Sequence, residues 1–117
     1  MLNFAGKRVY LACGPTDMRK QINGLSAIVE GSFHLDLFTG SLFVFCNRSR
    51  DRLKILEWDT DGFWLYFKRL EKGRFKWPAS DGDSTMELTG EELSYLLGGT
   101  QVELKLRRES VFEQGIL

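Results

Sequence analysis

The chain has 117 residues, which suits one folded domain, and its 43% hydrophobic and 27% charged residues are ordinary for a globular protein. Its 16 Lys and Arg balance its 16 Asp and Glu, so the net charge does not argue for a polyanionic partner. No apolar stretch reaches the length of a membrane span, no signal peptide is visible, and the two cysteines form no C-x-x-C pair. We therefore expect one domain over residues 1–117 of a cytoplasmic protein with reduced thiols and no membrane contact.

The N-terminal part of the sequence predicts a strand followed by a helix. Residues 8–13 are β-branched and aromatic and stop at a Gly-Pro pair, as a strand does. The helix should be capped by Thr16 or Asp17 and end at Gly31, and an internal Gly24 suggests a close packing contact. It is predicted by apolar residues that recur at helical spacing, at Met18, Ile22, Leu25 and Val29.

The central part predicts an antiparallel meander. A strand from about Leu42 to Cys46 is apolar on both faces, which indicates a covered, central position. A hairpin follows, and a three-residue loop with Gly62 in the left-handed conformation would pair Asp59 with Phe63. Residues 73–78 predict a further short strand that ends at Pro78. The hairpin register would set five side chains on one sheet face: Lys54, Trp58, Trp64, Tyr66 and Lys68.

The C-terminal part predicts a second helix. Residues 79–85 are small and polar, hence a surface loop, and Thr89 with Glu92 then forms a capping box. We expect this helix to end at a Gly-Gly pair and to turn Leu93, Leu96 and Leu97 to the core. Residues 101–106 alternate like a closing strand, and the tail after about residue 106 should be loosely held. The fold class predicted is α+β: a single domain with a meander-rich antiparallel sheet and two main helices.

The acidic turn E-W-D-T-D-G has the spacing of a calcium loop but lacks an essential ligand. Glu57, Asp59 and Asp61 would fill its first ligand positions, yet Lys68 stands where a bidentate Glu is required. His34 has no matching nucleophile signature, and nucleotide-binding motifs are absent from the sequence. We therefore expect no metal, no cofactor and no catalytic residue. A metal-dependent nuclease built on Asp59 and Asp61 is the weaker alternative.

Positive charge is concentrated in residues 48–76, which hold nine Lys or Arg against five Asp or Glu. Three of these cations crowd the short stretch N-R-S-R-D-R, which should be a solvated turn. The aromatic residues of the following hairpin allow two interpretations. Exposed rings could stack on bases while the cations contact phosphates, or a helix could cover this face and make the rings part of the core.

Three blocks of the sequence resemble a family of bacterial insertion-sequence proteins. They are residues 9–29 with D-M-R-K after a Gly-Pro turn, residues 40–78 with D-R-L-K-I-L-x-W-D-x-D-G-F-W-L, and residues 88–99. Together they resemble the short accessory proteins, often called TnpB, that are encoded beside the transposase in insertion sequences of family sixty-six. RNA-guided nucleases with the same name are far longer and are not resembled. Gln21 and Cys46 depart from the family's usual residues, and Cys46 removes one possible cation.

The resemblance implies an accessory factor for transposition that acts beside a separate transposase and a second small accessory protein, with no catalytic residue to carry over. We hypothesise a non-enzymatic factor that binds element DNA, the transposase, or both. The alternative is a pure protein-interaction module, a homodimer or transposase scaffold, that uses aromatics such as Trp64, Tyr66 and Trp77. The sequence leaves the oligomeric state open. The candidate contact residues are Arg19, Lys20, Arg48, Arg50, Arg52, Lys68, Arg69 and Arg74.

Overall fold

Five strands and two helices make up the part of the chain that a computed structural model describes, residues 4–79 and 82–98. The strands lie side by side in the order β4-β3-β2-β1-β5. All pairings are antiparallel except that of β1 with β2, so the α+β fold class is confirmed. The strands are Val9–Ala12 (β1), Leu42–Cys46 (β2), Arg52–Asp59 (β3), Gly62–Arg69 (β4) and Thr85–Leu88 (β5). The helices are Ile22–Ala27 (α1), which continues as a π-helical turn over Ile28–Ser32, and Gly90–Gly98 (α2).

Strand β2 lies at the centre of the sheet, as its apolar pattern predicts, and all five of its residues are buried. It runs parallel to β1 because α1 forms the crossover between them. Helix α1 covers one face of the sheet, where Leu25 and Val29 pack against Phe43 and Phe45. Helix α2 covers the other face through Leu93 and Leu96, so the domain has three layers.

The β3–β4 hairpin has a different register from the predicted one. Asp59 pairs with Gly62 across a two-residue loop, and Thr60 rather than Gly62 takes the left-handed conformation, at φ 53°. Trp58 therefore pairs with Phe63, and Glu57 pairs with Trp64. A one-residue slip turns the whole of β4 over, so the predicted common face of Lys54, Trp58, Trp64, Tyr66 and Lys68 is wrong. The sequence misleads because every residue from Phe63 to Phe67 is apolar.

The first helix begins later than predicted. Gln21, not Thr16 or Asp17, is the residue before its first turn, and the chain continues through Gly31 in the π-helical turn. The backbone N–H of Thr16 instead donates to the carbonyl of Cys46 at 2.8 Å, which ties the preceding loop to the end of β2. Gly24 does have a close neighbour, because a Cβ there would lie 3.2 Å from the Cβ of Lys20.

Helix α2 has the predicted capping box. The N–H of Glu92 donates to Thr89 Oγ1 at 3.1 Å, and the N–H of Thr89 donates to Glu92 Oε1 at 2.9 Å. Residues 73–78 form no strand, although Phe75 and Trp77 are buried against the α2 face. Strand β5 was not predicted, and it extends the sheet beside β1. The predicted strand over residues 101–106 and the tail lie outside the described residues.

The length and polarity of the helices bear on the expected absence of membrane contact. Neither helix in residues 4–79 and 82–98 is long and apolar enough to cross a membrane.

Candidate nucleic-acid interface

The turn between β2 and β3 carries Arg48 and Arg50 and is held by one asparagine. Asn47 Oδ1 accepts hydrogen bonds from the backbone N–H groups of Asp51 and Arg52, both at 3.1 Å. Asn47 Nδ2 donates to the carboxylate of Asp51 at 2.8 Å, which lowers the pKa of that carboxyl group. Arg50 itself sits in the left-handed region at φ 63°. The turn is therefore fixed by side-chain contacts while its arginines remain exposed.

Two further loops are hydrogen-bonded to the same end of the sheet. The N–H of Leu70 donates to the carbonyl of Asp51 at 2.8 Å, and the N–H of Phe75 donates to that of Arg50 at 2.7 Å. The loop before α1 is tied to the same end of the sheet by the hydrogen bond from the N–H of Thr16 to the carbonyl of Cys46. This end, here called the basic end, collects nine exposed cations: Arg19, Lys20, Arg48, Arg50, Arg52, Arg69, Lys72, Arg74 and Lys76. The described carboxylates near it are four: Asp17, Asp51, Glu71 and Asp83.

The charged residues that the structure describes at the opposite end of the sheet are mainly acidic. Lys7 pairs with Glu57, and Arg8 Nε lies 3.1 Å from Glu87 Oε2, so both cations of this end are already engaged. The carboxylates here come from strands β3 and β5, the β3–β4 turn, the start of α2 and the loop before β2. They are Asp36, Glu57, Asp59, Asp61, Glu87, Glu91 and Glu92. The charges of the described residues are thus segregated along the strand direction.

Buried Lys54 connects Arg19 and Lys20 to the rest of the basic end. Its ammonium group donates to the carbonyls of Met18 at 2.9 Å and Lys20 at 2.8 Å, and only 6% of the residue is exposed. Lys54 therefore positions the loop before α1 instead of offering a charge to a ligand. Sequence patterns did not indicate this role, because a lysine inside a strand usually points to solvent.

Three predicted contact residues are partly engaged by other groups of the protein. Lys68 lies on the α2 face and donates to the carbonyl of Leu97 at 2.7 Å, near the end of that helix. Arg69 Nη2 lies 2.9 Å from Glu71. Arg19 likewise makes a bidentate pair with Asp17, and these hydrogen bonds lower the pKa of the Asp17 carboxyl to about 2. Lys72 and Lys76 belong to the basic end but were not among the predicted contacts.

The aromatic residues do not form one stacking surface. Trp64 is 48% exposed and stacks on Tyr66 with ring centroids 6.1 Å apart, on the α2 face of β4. Trp58 lies on the other face, edge-on to Phe38 and Phe63. Trp77 is buried and donates from its indole N–H to the carbonyl of Ala12 at 2.9 Å. The interpretation of the hairpin rings as core is incorrect for Trp64, and the burial of Trp77 contradicts its prediction as an interaction aromatic.

The Asp59 carboxylate of the acidic turn accepts hydrogen bonds within the hairpin. Asp59 accepts hydrogen bonds from the indole N–H of Trp64 at 3.0 Å and from the hydroxyl of Thr60 at 3.1 Å, which lowers the pKa of its carboxyl group. Within the described ranges, no three His, Cys, Asp or Glu side chains gather where they could hold a metal ion. These contacts give Asp59 a structural explanation.

Comparison with known proteins assigns the chain to a family. The family model for the IS66 Orf2-like protein matches residues 7–107, which include the whole sheet and both helices. The chain belongs to the IS66 Orf2-like family. Its insertion-sequence name indicates an accessory role in transposition, as the three resembling blocks imply. IS66 Orf2-like proteins are not known as enzymes.

Two relatives of this IS66 Orf2-like chain come from Sinorhizobium fredii. The uncharacterized protein y4hO is 41% identical over 92 residues, which is 79% of each chain. The uncharacterized protein y4jC is 37% identical over 94 residues, which is 80% of each chain. No solved structure matches the chain. The names of both relatives assign no function, so the basic end is described from its own geometry.

Proposed function

We propose that the protein is a non-enzymatic accessory factor for transposition and that its basic end binds the phosphate backbone of the element's DNA. The observation that supports this is the gathering of nine exposed cations at one end of a chain whose net charge is zero. Backbone contacts of this kind supply affinity and orientation without sequence information. The transposase would then supply sequence recognition and chemistry.

The segregation of charge favours DNA that approaches along the strand direction. Phosphates are attracted to the basic end and repelled by the acidic end, so the protein presents one face to a duplex. At the basic end, Arg48 has no carboxylate partner among the described residues, and Arg50 donates only a long hydrogen bond of 3.4 Å to the carbonyl of Trp77. Both guanidinium groups are therefore available to phosphate oxygens.

Binding to element-end DNA, measured by fluorescence anisotropy across a salt series, tests the proposal. The wild-type affinity should fall with salt, and the logarithmic slope should become shallower by about 0.9 for each phosphate that the protein no longer neutralises. A variant that combines Arg48→Ala, Arg50→Asn and Arg52→Ala should bind weakly with a shallower slope. Asparagine is chosen at position 50 because it tolerates the left-handed backbone.

A single arginine at the other end of the molecule provides a matched control. Arg8 is exposed like Arg48 but lies at the acidic end, where it pairs with Glu87. Arg8→Ala should leave DNA affinity within about twofold, whereas Arg48→Ala should weaken it about tenfold, the effect of one charge-assisted contact. No binding at low salt, or equal effects of the two substitutions, would contradict the proposal.

A protein-interaction module is the second candidate, and strand β4 supports it. This strand lies at the edge of the five-stranded sheet and exposes Trp64 and Phe67, the latter at 56%. Large exposed aromatics on an edge strand are typical of protein contacts. Co-purification with the transposase that is abolished in Trp64→Ser, together with no salt-dependent DNA binding, would favour this function. If Trp64→Ser kept both co-purification with the transposase and salt-dependent DNA binding, the exposed face of β4 would not be the contact, and DNA binding would stand as the main role.

A further inference from the structure

A small cavity of about 100 Å³ lies at the basic end, where β1 and β2 both terminate. Its walls come from the Gly-Pro loop after β1, the arginine turn after β2, and the loop after β4. The lining residues on which the argument depends are Gly14, Pro15, Arg48, Arg50 and Trp77. The cavity therefore sits where the three loops of the basic end meet.

The cavity has an excess of positive charge. Two of its lining residues are arginines, and none of the described residues that line it is a carboxylate. Asp51, the carboxylate of the arginine turn, is engaged by Asn47 at 2.8 Å and lies 4.0 Å from Arg52. The charges of Arg48 and Arg50 are thus not neutralised within the cavity, which makes it suitable for an anion.

The arginine turn is fixed before any ligand arrives. Arg50 is held on both sides, because its N–H donates to the carbonyl of Asn47 at 3.1 Å and its carbonyl accepts from Phe75 at 2.7 Å. Its guanidinium reaches the carbonyl of Trp77, a buried residue of the cavity wall. The backbone of the turn therefore needs little reorganisation when its arginines bind an oxyanion.

The size of the cavity restricts the ligand. A volume of about 100 Å³ suits a small group such as one tetrahedral oxyanion. A phosphodiester inside a strand carries a sugar on each side, which leaves two non-bridging oxygens and about one negative charge to face such a cavity. A terminal phosphate monoester has one free side, three acceptor oxygens and a charge of about −1.5 to −2. We propose that this cavity binds the terminal phosphate of a nucleic-acid strand.

This inference rests on the proposed DNA-binding function and adds a preference for strand ends. Two cations would then contact the terminal phosphate in the cavity, while the remaining cations of the basic end contact internal phosphates. Substitution can separate the cations of the cavity from the other cations of the basic end. Arg48 lines the cavity, whereas Arg74 is exposed at the basic end and does not line it.

The test compares duplexes of identical sequence that carry a 5′-phosphate, a 3′-phosphate or only hydroxyl ends. Wild-type protein should bind one phosphorylated form about tenfold more tightly than the hydroxyl form, the scale of one added charge-assisted pair. Arg48→Ala should abolish this ratio. Arg74→Ala should weaken binding to all the duplexes and keep the ratio. Inorganic phosphate should lower the affinity for the preferred phosphorylated duplex to that for the hydroxyl duplex. It should do so at concentrations that leave the affinity for the hydroxyl duplex unchanged.

The outcomes separate this inference from the proposed function. Equal, salt-dependent affinity for all three duplexes would overturn the terminal-phosphate site and leave DNA binding intact. Binding of inorganic phosphate without any preference among the duplexes would also overturn it, because the cavity would then be a site for the free anion. Failure to bind any duplex would instead overturn the proposed function. Disappearance of the ratio in Arg74→Ala as well as in Arg48→Ala would place the end recognition outside the cavity.

Discussion

The ammonium nitrogen of Lys54 lies 2.8 Å from the carbonyl oxygen of Lys20, across the interior of the domain. A second hydrogen bond, of 2.9 Å, joins it to the carbonyl of Met18. The charge of a strand residue is thereby used to hold the loop that presents Arg19 and Lys20. Through this contact two stretches separated by some thirty residues in the sequence become one surface.

Replacement of Lys54 should test this contact through stability. Lys54→Met keeps the length and apolar part of the side chain but leaves two carbonyls without their donor. We expect the free energy of unfolding to fall by about 2–3 kcal/mol in urea denaturation. Lys72→Met, at an exposed position of the basic end, should change it by less than about 0.5 kcal/mol. Equal effects of the two substitutions would mean that Lys54 does not hold the loop.

The ion pair between Asp17 and Arg19 should limit DNA affinity. Asp17→Asn removes a carboxylate from the basic end and frees the Arg19 guanidinium, while its side-chain oxygen still accepts from the N–H of Arg19. DNA binding should become tighter and more salt-dependent. Asp36→Asn is the matched control, because Asp36 accepts a similar backbone hydrogen bond at the acidic end. Unchanged affinity in Asp17→Asn would show that Arg19 does not contact DNA.

Alkaline pH should destabilise the protein through Tyr66 and Cys46. Burial raises the pKa of Tyr66 from 10.0 to about 12, with Glu57 adding to the shift, and burial raises that of Cys46 from 9.0 to about 12. Because the folded state keeps these protons longer than the unfolded state, stability is fully present below pH 9 and is lost as pH rises towards 12. Thermal melts across this range should show the decline.

A double variant isolates the two titrations. Tyr66→Phe combined with Cys46→Ala removes both protons while it keeps the aromatic ring and a small apolar side chain. Its melting temperature should depend less on pH between 9 and 12 than that of the wild type, whatever its value at neutral pH. An identical pH dependence in the two proteins would assign the alkaline transition to other groups.

The two thiols should differ in reactivity. Cys46 is 1% exposed and its pKa is raised to about 12, so almost no thiolate forms at neutral pH. Cys13 is only partly buried. An aromatic disulfide reagent should therefore modify Cys13 in the native protein and Cys46 only after unfolding, as peptide mapping would reveal. Simultaneous modification of both thiols under native conditions would contradict this burial.

Gly90 should tolerate no side chain although it begins a helix. A Cβ there would meet the carbonyl oxygen of Phe4, a contact that only movement of the backbone could relieve. Gly90→Ala should destabilise the protein by about 1–3 kcal/mol despite the better helix propensity of alanine. Gly31→Ala meets no atom within 4 Å and should be neutral or stabilising. Circular-dichroism melts of both variants would measure this difference, and equal melting temperatures would contradict the predicted clash at Gly90.

Some elements follow from short-range rules and were predictable. Strand β2 is apolar on both faces, so only a position at the centre of the sheet satisfies it. The capping box of Thr89 and Glu92 fixes the start of α2 because its hydrogen bonds join residues three apart. The arginine turn after β2 is likewise local, since Asn47 organises it within five residues.

The register of β4, the role of Lys54 and the segregation of charge required the tertiary structure. Consecutive apolar residues from Phe63 to Phe67 give no alternation, so hairpin geometry alone decides which face each ring occupies. Lys54 finds its acceptors in a loop more than thirty residues away. The cations form one end only because strand order and direction bring three loops together. The sequence by itself determined the central strand β2, the arginine turn and the cap of α2, because their rules are local, and packing decided which charges share a surface.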